Sequence, residues 1–398
     1  ETAKRIINIS DTADNTLAVS NQAQDASQQI QQLTANLEAE IDKFRLAEGD
    51  VIITKDSEDP NDIGIPALVK QDMHDVVCGY HLTVIKSHEF DLSGFIHRSI
   101  QSHPTKAHFF VESPGITRFG LDQDAIGDIP VCIPPKEHRS TIVSAINTEI
   151  NRIKTLITKK TRFIELLKEK RQALITHAVT KGLNPNVKMK DSGVEWIGEI
   201  PEHWEVKPFF SLLTELKRKN SGLEETNILS LSYGRVIKKP ENRNMGLVPA
   251  SYETYQIVEP GEIVFRFTDL QNDKRSLRSA LVQERGIISS AYMAVSLRNI
   301  YSNYFSWLMR SYDLCKVFYG MGGGVRQSLK FEDVRRLQVL VPPKEEQTEI
   351  AAHVDKQLAH NDSLVEKTER SINLLKERRS AFITAAVTGQ LDLRGEPA

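Results

Sequence analysis

Two stretches of this chain carry apolar residues at alternating steps of four and three. In the first, Ile146, Ile150, Ile153, Ile157, Lys160, Ile164, Leu167, Arg171, Leu174 and Ala178 fall on one helical stripe. In the second, Val354, Leu358, Asn361, Val365, Thr368, Ile372, Leu375, Arg379, Phe382 and Ala386 keep the same rhythm. That spacing is the seam of a coiled coil. Pro134-Pro135 and Pro342-Pro343 precede the stripes, and Gly182 and Gly389 follow them, which are start and stop signals for helices. A run of about 45 residues spans about 67 Å as a helix. One apolar stripe of that length needs a partner, and the other stripe supplies it. Antiparallel packing of the two is expected, with separate packing of each helix on its own domain as the alternative.

The two stripes belong to a longer internal repeat. The segment from Ile133 to Leu183 aligns without a gap on Val341 to Leu391, 208 positions later, with "IPPKEHRSTI" opposite "VPPKEEQTEI". Upstream, Gly115 and Arg118 of "GITRFGL" fall opposite Gly323 and Arg326 of "GGVRQSL", and "EGDVIITKD" resembles "PGEIVFRFT" at an offset of 212. Self-similarity on this scale resets the fold expectation. The chain reads as one unit used twice, each a globular part followed by a helix.

Between the helices the pattern changes to short β-type runs. "NILSLSYGRVI", "GEIVFRFT" and "SAYMAVSL" predict strands in the second unit, and "YSNYFSWLMRSYDLCKVFY" predicts a helix. The first unit has "DVIITK", "IPALV" and "YHLTVI" as strands and "LSGFIHRSIQ" as a helix. The predicted class is α+β: two globular mixed domains separated by two long helices packed as an antiparallel coiled coil, with an internal pseudo-twofold repeat. The expected boundaries are a first domain at 1–132, a central helix at 133–183, a linker at 184–203 anchored by Trp196 and Trp204, a second domain at 204–340 and a C-terminal helix at 341–391. Counting back 212 positions from Trp204 lands before residue 1, so the first domain is expected to lack its opening strand, on the order of 20 residues. The start at Glu1 points the same way. A Gln-rich stretch at 21–32 has no counterpart in the second unit and no evident role.

Charge alters this picture only when taken by segment. The net charge is −2, yet residues 1–132 hold 10 Lys/Arg against 21 Asp/Glu, 136–183 hold 11 against 4, and 204–336 hold 20 against 14. The two basic blocks are a candidate electrostatic footprint for phosphate, beside the plainer reading of solvated faces. No apolar run reaches membrane-spanning length and no charged-then-apolar leader occurs. Cys78, Cys132 and Cys315 stand apart, without zinc or disulfide spacing. A cytoplasmic location is expected.

Catalytic motifs are weak. "FYGMGGG" contains the F-x-G-x-G turn that some methyltransferases place against S-adenosylmethionine, but it follows a helix-like segment rather than a buried strand. "NPNV" lacks the third proline and the aromatic of the amino-methyltransferase tetrad. No Walker loop occurs, and His97, His103 and His108 lack metal spacing and read as scattered surface histidines. The polar loops are more informative. "FRFTDLQNDKRSLRSA" groups Arg266, Thr268, Lys274, Arg275 and Arg278 after a strand, and "SYGRVIKK" adds Tyr233 and Arg235. Such side chains form bidentate pairs with base edges and contact phosphates. The chain reads as a binder with no catalytic, cofactor or metal site of its own.

With "PPKEEQTEI", "WIGEIPEHWEV", "TKDSEDPNDIGIPALV", "GITRFGL" and "KERRSAFITAAVTGQLDLRG", the chain resembles the specificity subunits of type I restriction-modification enzymes over nearly its whole length. The resemblance implies two target recognition domains, each reading one half of a split, non-palindromic DNA site, with the helices fixing the spacer. It implies partners: double-stranded DNA, two modification (methyltransferase) subunits and, through them, motor-nuclease subunits, in phage defence. S-adenosylmethionine, ATP and Mg would then sit on those partners. The family's DNA-facing loops carry over to Lys55, Ser57, Arg118, Arg266, Thr268 and Arg326. Two other functions stay open. A stand-alone methyltransferase requires cofactor binding at Gly320–Gly324, and a coiled-coil scaffold requires DNA binding that is weak and indifferent to sequence.

Overall fold

The computed structural model describes residues 2–87, 89–239, 251–270, 277–321 and 328–395. The chain divides into two compact units, residues 1–159 with 371–398, and residues 160–370. Each unit contains the start of one long helix and the end of the other, because the central helix runs Lys136–Lys181 and the C-terminal helix Lys344–Val387. In the first unit Ile142, Ile146 and Ile150 pack with Ile383, Ala386 and Val387. In the second, Ile175, Ala178 and Val179 pack with Ile350, Ala351, Val354 and Leu358. Ion pairs follow the same antiparallel register: Arg378 with Glu149 at 2.8 Å in the first unit, Arg171 with Asp362 in the second. The predicted seam is buried or half-buried except at Arg379, which is exposed; Ile383, off the predicted stripe, is buried. Asn361 and Thr368 are polar residues buried in it.

The first unit has a three-stranded antiparallel sheet, Pro66–Leu68 beside Val51–Thr54 beside Leu82–Ile85. Val51 and Ile53 point into a core with Ile100, Phe109 and Leu121, as a strand's period of two requires. Helix Phe90–Ile100 covers that face. The second unit repeats the arrangement. Ser279–Leu281, Ile263–Phe265 and Met293–Leu297 form the same antiparallel order, and helix Ser302–Leu314 follows. Val51 pairs with both Leu68 and Ile85, and Ile263 with both Leu281 and Val295, so register is duplicated as well as order.

A fourth strand, Leu213–Leu216, extends the second sheet. Its counterpart 212 positions earlier lies at the start of helix Thr2–Asp42, an element that the sequence reading did not foresee and that contains the Gln-rich stretch. Residues 15–44 of that helix and its exit are exposed throughout.

All of Ile263, Val264 and Phe265 are buried because the second sheet has both faces covered. Ile263 and Phe265 join the large core with Tyr304, Phe305, Leu308 and Tyr312, whereas Val264 joins Ala280, Ala294, Leu229 and Leu231. The cover on the second face is the hairpin Leu229–Ser232 with Arg235–Lys238.

The segment expected as a linker is an ordered hairpin, Met189–Asp191 paired with Glu199–Pro201. It forms because its glycines supply positive φ at Gly193 and Gly198, and because apolar residues at its ends enter the large core, Ile197, Ile200 and Trp204 among them. Trp196 is partly exposed but meets the Tyr312 ring edge-on at 4.3 Å. Among the described residues no helix is long and apolar enough to cross a membrane.

Candidate nucleic-acid interface

In the first unit a two-residue strand, Asp56–Ser57, pairs antiparallel with Phe119–Gly120. This pairing brings Lys55, Ser57 and Arg118, far apart in sequence, onto one edge. Arg118 Nη2 donates to Asp56 Oδ1 at 3.0 Å, and His81 Nδ1 touches the same oxygen. The hydrogen bond from Arg118 holds the Asp56 carboxyl below the usual carboxylate range, and the carboxylate in turn raises the Arg118 guanidinium. Tyr80 is 79% exposed, stands edge-on to the His81 ring at 5.3 Å, and has Lys55 Nζ 5.0 Å from its centroid. Asp56, Tyr80 and His81 were missed from the sequence. The only signal for them was an acidic residue inside "TKDSED" and an aromatic-histidine pair beside a glycine in "GYH".

Gly115 explains part of the "GITRFGL" phrase. A Cβ there would lie 2.0 Å from the Arg118 carbonyl oxygen, so the turn closes only on glycine. Gly115→Ala is expected to open the turn, cost about 1–3 kcal/mol and displace Arg118. Chemical denaturation followed by circular dichroism checks the cost, and an unchanged midpoint would contradict the steric account.

In the second unit the hairpin tip is Tyr233-Gly234, with φ of 45° and 74°. Two consecutive positive φ values suit a tight two-residue hairpin turn. Tyr233 at this tip is 79% exposed, and Arg235 beside it is exposed. The tip is clamped from below: Arg310 Nη2 donates to the Gly234 carbonyl at 2.6 Å and to that of Ser279 at 3.3 Å. Burial pushes the Arg310 guanidinium down to about 10, which leaves it charged at neutral pH. Arg266 and Thr268 are half-buried on the run that follows strand Ile263–Phe265.

Arg278 requires a correction. Expected in a DNA-facing loop, it is fully buried: Nη1 donates to the Thr268 carbonyl and Nε to the Tyr319 hydroxyl, both at 3.1 Å. Its own N–H donates to Asp313 Oδ2 at 2.6 Å. A planar donor fork reaching two acceptors on separate segments fixes the backbone around Thr268 from inside. Lys274, Arg275 and Arg326 lie outside the described residues, as do Gly322–Gly324 of the glycine-rich turn. Of the three histidines noted above, His97 and His108 are half-buried rather than surface residues; burial lowers His97 to about 4, and His108 Nε2 lies 2.8 Å from the Ala125 carbonyl. Among the described residues no group of three His, Cys, Asp or Glu side chains is placed to hold a metal.

The architecture defines a duplicated chain of two α+β modules, each built onto the start of one long helix and the end of the other, with an exposed polar edge on each. Its fold is that of type I restriction-modification specificity subunits. No family model matches the chain. A Methanocaldococcus jannaschii protein, provisionally named type I restriction enzyme MjaX specificity subunit, is 22% identical over 365 residues, covering 89% of this chain and 81% of its own. The structure of the HsdS subunit from Thermoanaerobacter tengcongensis matches with a TM-score of 0.52 at 14% identity, over 87% of this chain and 82% of that one. A chain from a structural study of complex assembly and conformational transition of the type I R-M system matches with a TM-score of 0.63 at 12% identity, over 87% and 83%. The resemblance read from the sequence is thus borne out in a curated relative and in the fold.

Proposed function

We propose that this chain is the DNA sequence-recognition subunit of a type I restriction-modification complex. Each module reads one half of a bipartite, non-palindromic site, and the two long helices set the unread spacer and dock two modification subunits. Motor-nuclease subunits join through that complex. S-adenosylmethionine, ATP and Mg belong to the partners, and the assembly works in the cytoplasm. The observation that carries this reading is the duplication of sheet order and register around Val51 and Ile263, each module ending in a long helix. A duplicated module suits two half-sites, while different loops on the two modules allow different bases to be read. The exposed Arg and Tyr side chains on each edge, with half-buried Lys55 on the first, are of the kinds that contact phosphates and bases.

Methylated positions mapped by long-read sequencing, in cells carrying this chain with its modification subunits, test the proposal. Two short half-sites separated by a fixed gap are expected. A contiguous motif, or none, would overturn it. Adding one helical turn to the central helix within 145–175, with a matching turn in the C-terminal helix, lengthens the pair by about 5.4 Å. Base pairs advance about 3.4 Å each, so the gap should grow by about one to two base pairs. An unchanged gap would remove the helices from the role of ruler.

A further inference from the structure

We infer that the first module reads a guanine·cytosine pair through Arg118, whose guanidinium is held ready by Asp56 beside His81. This rests on the DNA-reading function proposed above and specifies what one of its modules reads. Arg118 presents only donors, five N–H groups in a planar fork. In the major groove, guanine alone offers two adjacent acceptors, O6 and N7; adenine offers an acceptor beside a donor, and thymine one acceptor beside a methyl group. An all-donor fork therefore favours guanine.

The local geometry makes this arginine different from an ordinary surface one. The Arg118 side chain is 56% exposed, whereas its partner Asp56 is only 15% exposed. Asp56 is itself fixed by its pairing with Gly120 and by the Lys55 N–H, which donates to the His81 carbonyl at 2.9 Å. Arg118 Nη2 also lies 2.8 Å from His81 Nδ1. With the His81 Nδ1 proton donated to Asp56, the carboxylate takes one Nη2 hydrogen of Arg118, and the second Nη2 hydrogen with an Nη1 hydrogen forms the donor pair for a base. A guanidinium restrained in this way loses less rotamer freedom on docking than a free one.

The surroundings fit the same use. Residues 1–132 contain only 10 cationic side chains against 21 anionic ones, yet Lys55 and Arg118 share this edge. Tyr80 and His81 place an exposed aromatic pair next to them. Lys55 supplies a cation for a phosphate, which positions the module without specifying sequence. The competing account is a surface ion pair that merely ties the 115–120 turn to Asp56.

A random-sequence duplex pool, bound by the full chain together with its modification subunits and then sequenced, separates the two. In the wild type one half-site should contain a required guanine. For Arg118→Ala, preference for that guanine should fall about tenfold or more. The other half-site and the gap should stay as they were, which shows that the chain is folded. Arg118→Lys should be intermediate, since an ammonium cannot make the bidentate pair. Asp56→Asn should weaken the same position by a smaller factor, and it carries the test alone if Arg118→Ala recovers no DNA. Loss at an A·T position, a uniform loss at all positions, or no change in Asp56→Asn and Arg118→Ala would overturn the inference. A wild-type pool that yields no bipartite motif would instead defeat the DNA-reading function on which the inference stands.

Discussion

Replacing Trp204 with alanine is expected to cost the second unit about 3–5 kcal/mol, the usual range for deleting a large aromatic from a packed core. Trp204 is fully buried among Val179, Ile200, Val341 and Ile350, at the junction of the hairpin with both long helices. Its indole Nε1 donates to Glu346 Oε2 at 3.1 Å, in the first turn of the C-terminal helix. The same carboxylate oxygen lies 2.8 Å from His203 Nε2. The substitution therefore leaves a cavity and also removes a polar tie, so neighbouring helices cannot close over it without breaking their own seam. All three tryptophans, Trp196, Trp204 and Trp307, lie within residues 160–370, so fluorescence follows the second unit alone. In the variant, Trp196 and Trp307 should report an unfolding transition moved to lower denaturant. A shift worth less than about 1 kcal/mol would show that the site collapses far more easily than its packing suggests.

Arg310→Ala should have the next largest effect, about 2–4 kcal/mol, because it removes a buried guanidinium and the donor that two partly buried carbonyl groups now share. The Gly234 and Ser279 carbonyls lose their shared donor. The consequence for recognition is local. The Tyr233-Gly234 tip is held by that donor, so specificity for the second half-site should weaken while the first half-site is still read. Arg310→Lys keeps the charge, but its side chain is one bond shorter and places the ammonium short of the position that Nη2 holds, so it should recover part of the stability and less of the specificity. Gly234→Ala approaches the same contact from the other side. Its Cβ would sit 2.0 Å from Arg310 Nη2, at a φ of 74° that disfavours any side chain. The check is a comparison of fluorescence-detected unfolding with half-site preference in the selected duplex pool. Equal loss at both half-sites would mean that Arg310 supports the whole chain rather than the hairpin.

Much of the architecture was legible because it depends on local periodicity. The seam of four-three steps marked both long helices to within a few residues, and the prolines and glycines marked their ends. Repetition of "DVIITK" as "EIVFRF" anticipated matching central strands, and these strands do occupy matching places in the two sheets. The hairpin at 189–201 was read as linker because glycine and proline punctuate a tight turn and a loose segment alike. Helix Thr2–Asp42 was missed because its apolar residues do not gather on one face, which gives it little amphipathic signal.

The candidate sites divide differently. The duplication, the helical seam, the central strands with the helix that follows them in each module, and the residue types available to meet DNA are all written in local sequence. Only the tertiary structure decided which of those residues face outward and which companions they keep. Arg118 and Arg278 look alike in sequence, each a cation in a polar loop. Pairing of Asp56–Ser57 with Phe119–Gly120 leaves Arg118 exposed on a carboxylate and a histidine, whereas the Thr268 carbonyl and the Tyr319 hydroxyl draw the Arg278 side chain into the interior. The physical reason is that a stripe of apolar side chains specifies its own burial over a few turns of helix. A charged side chain is placed instead by whichever distant acceptor offsets its desolvation, and that partner is chosen only when the chain folds.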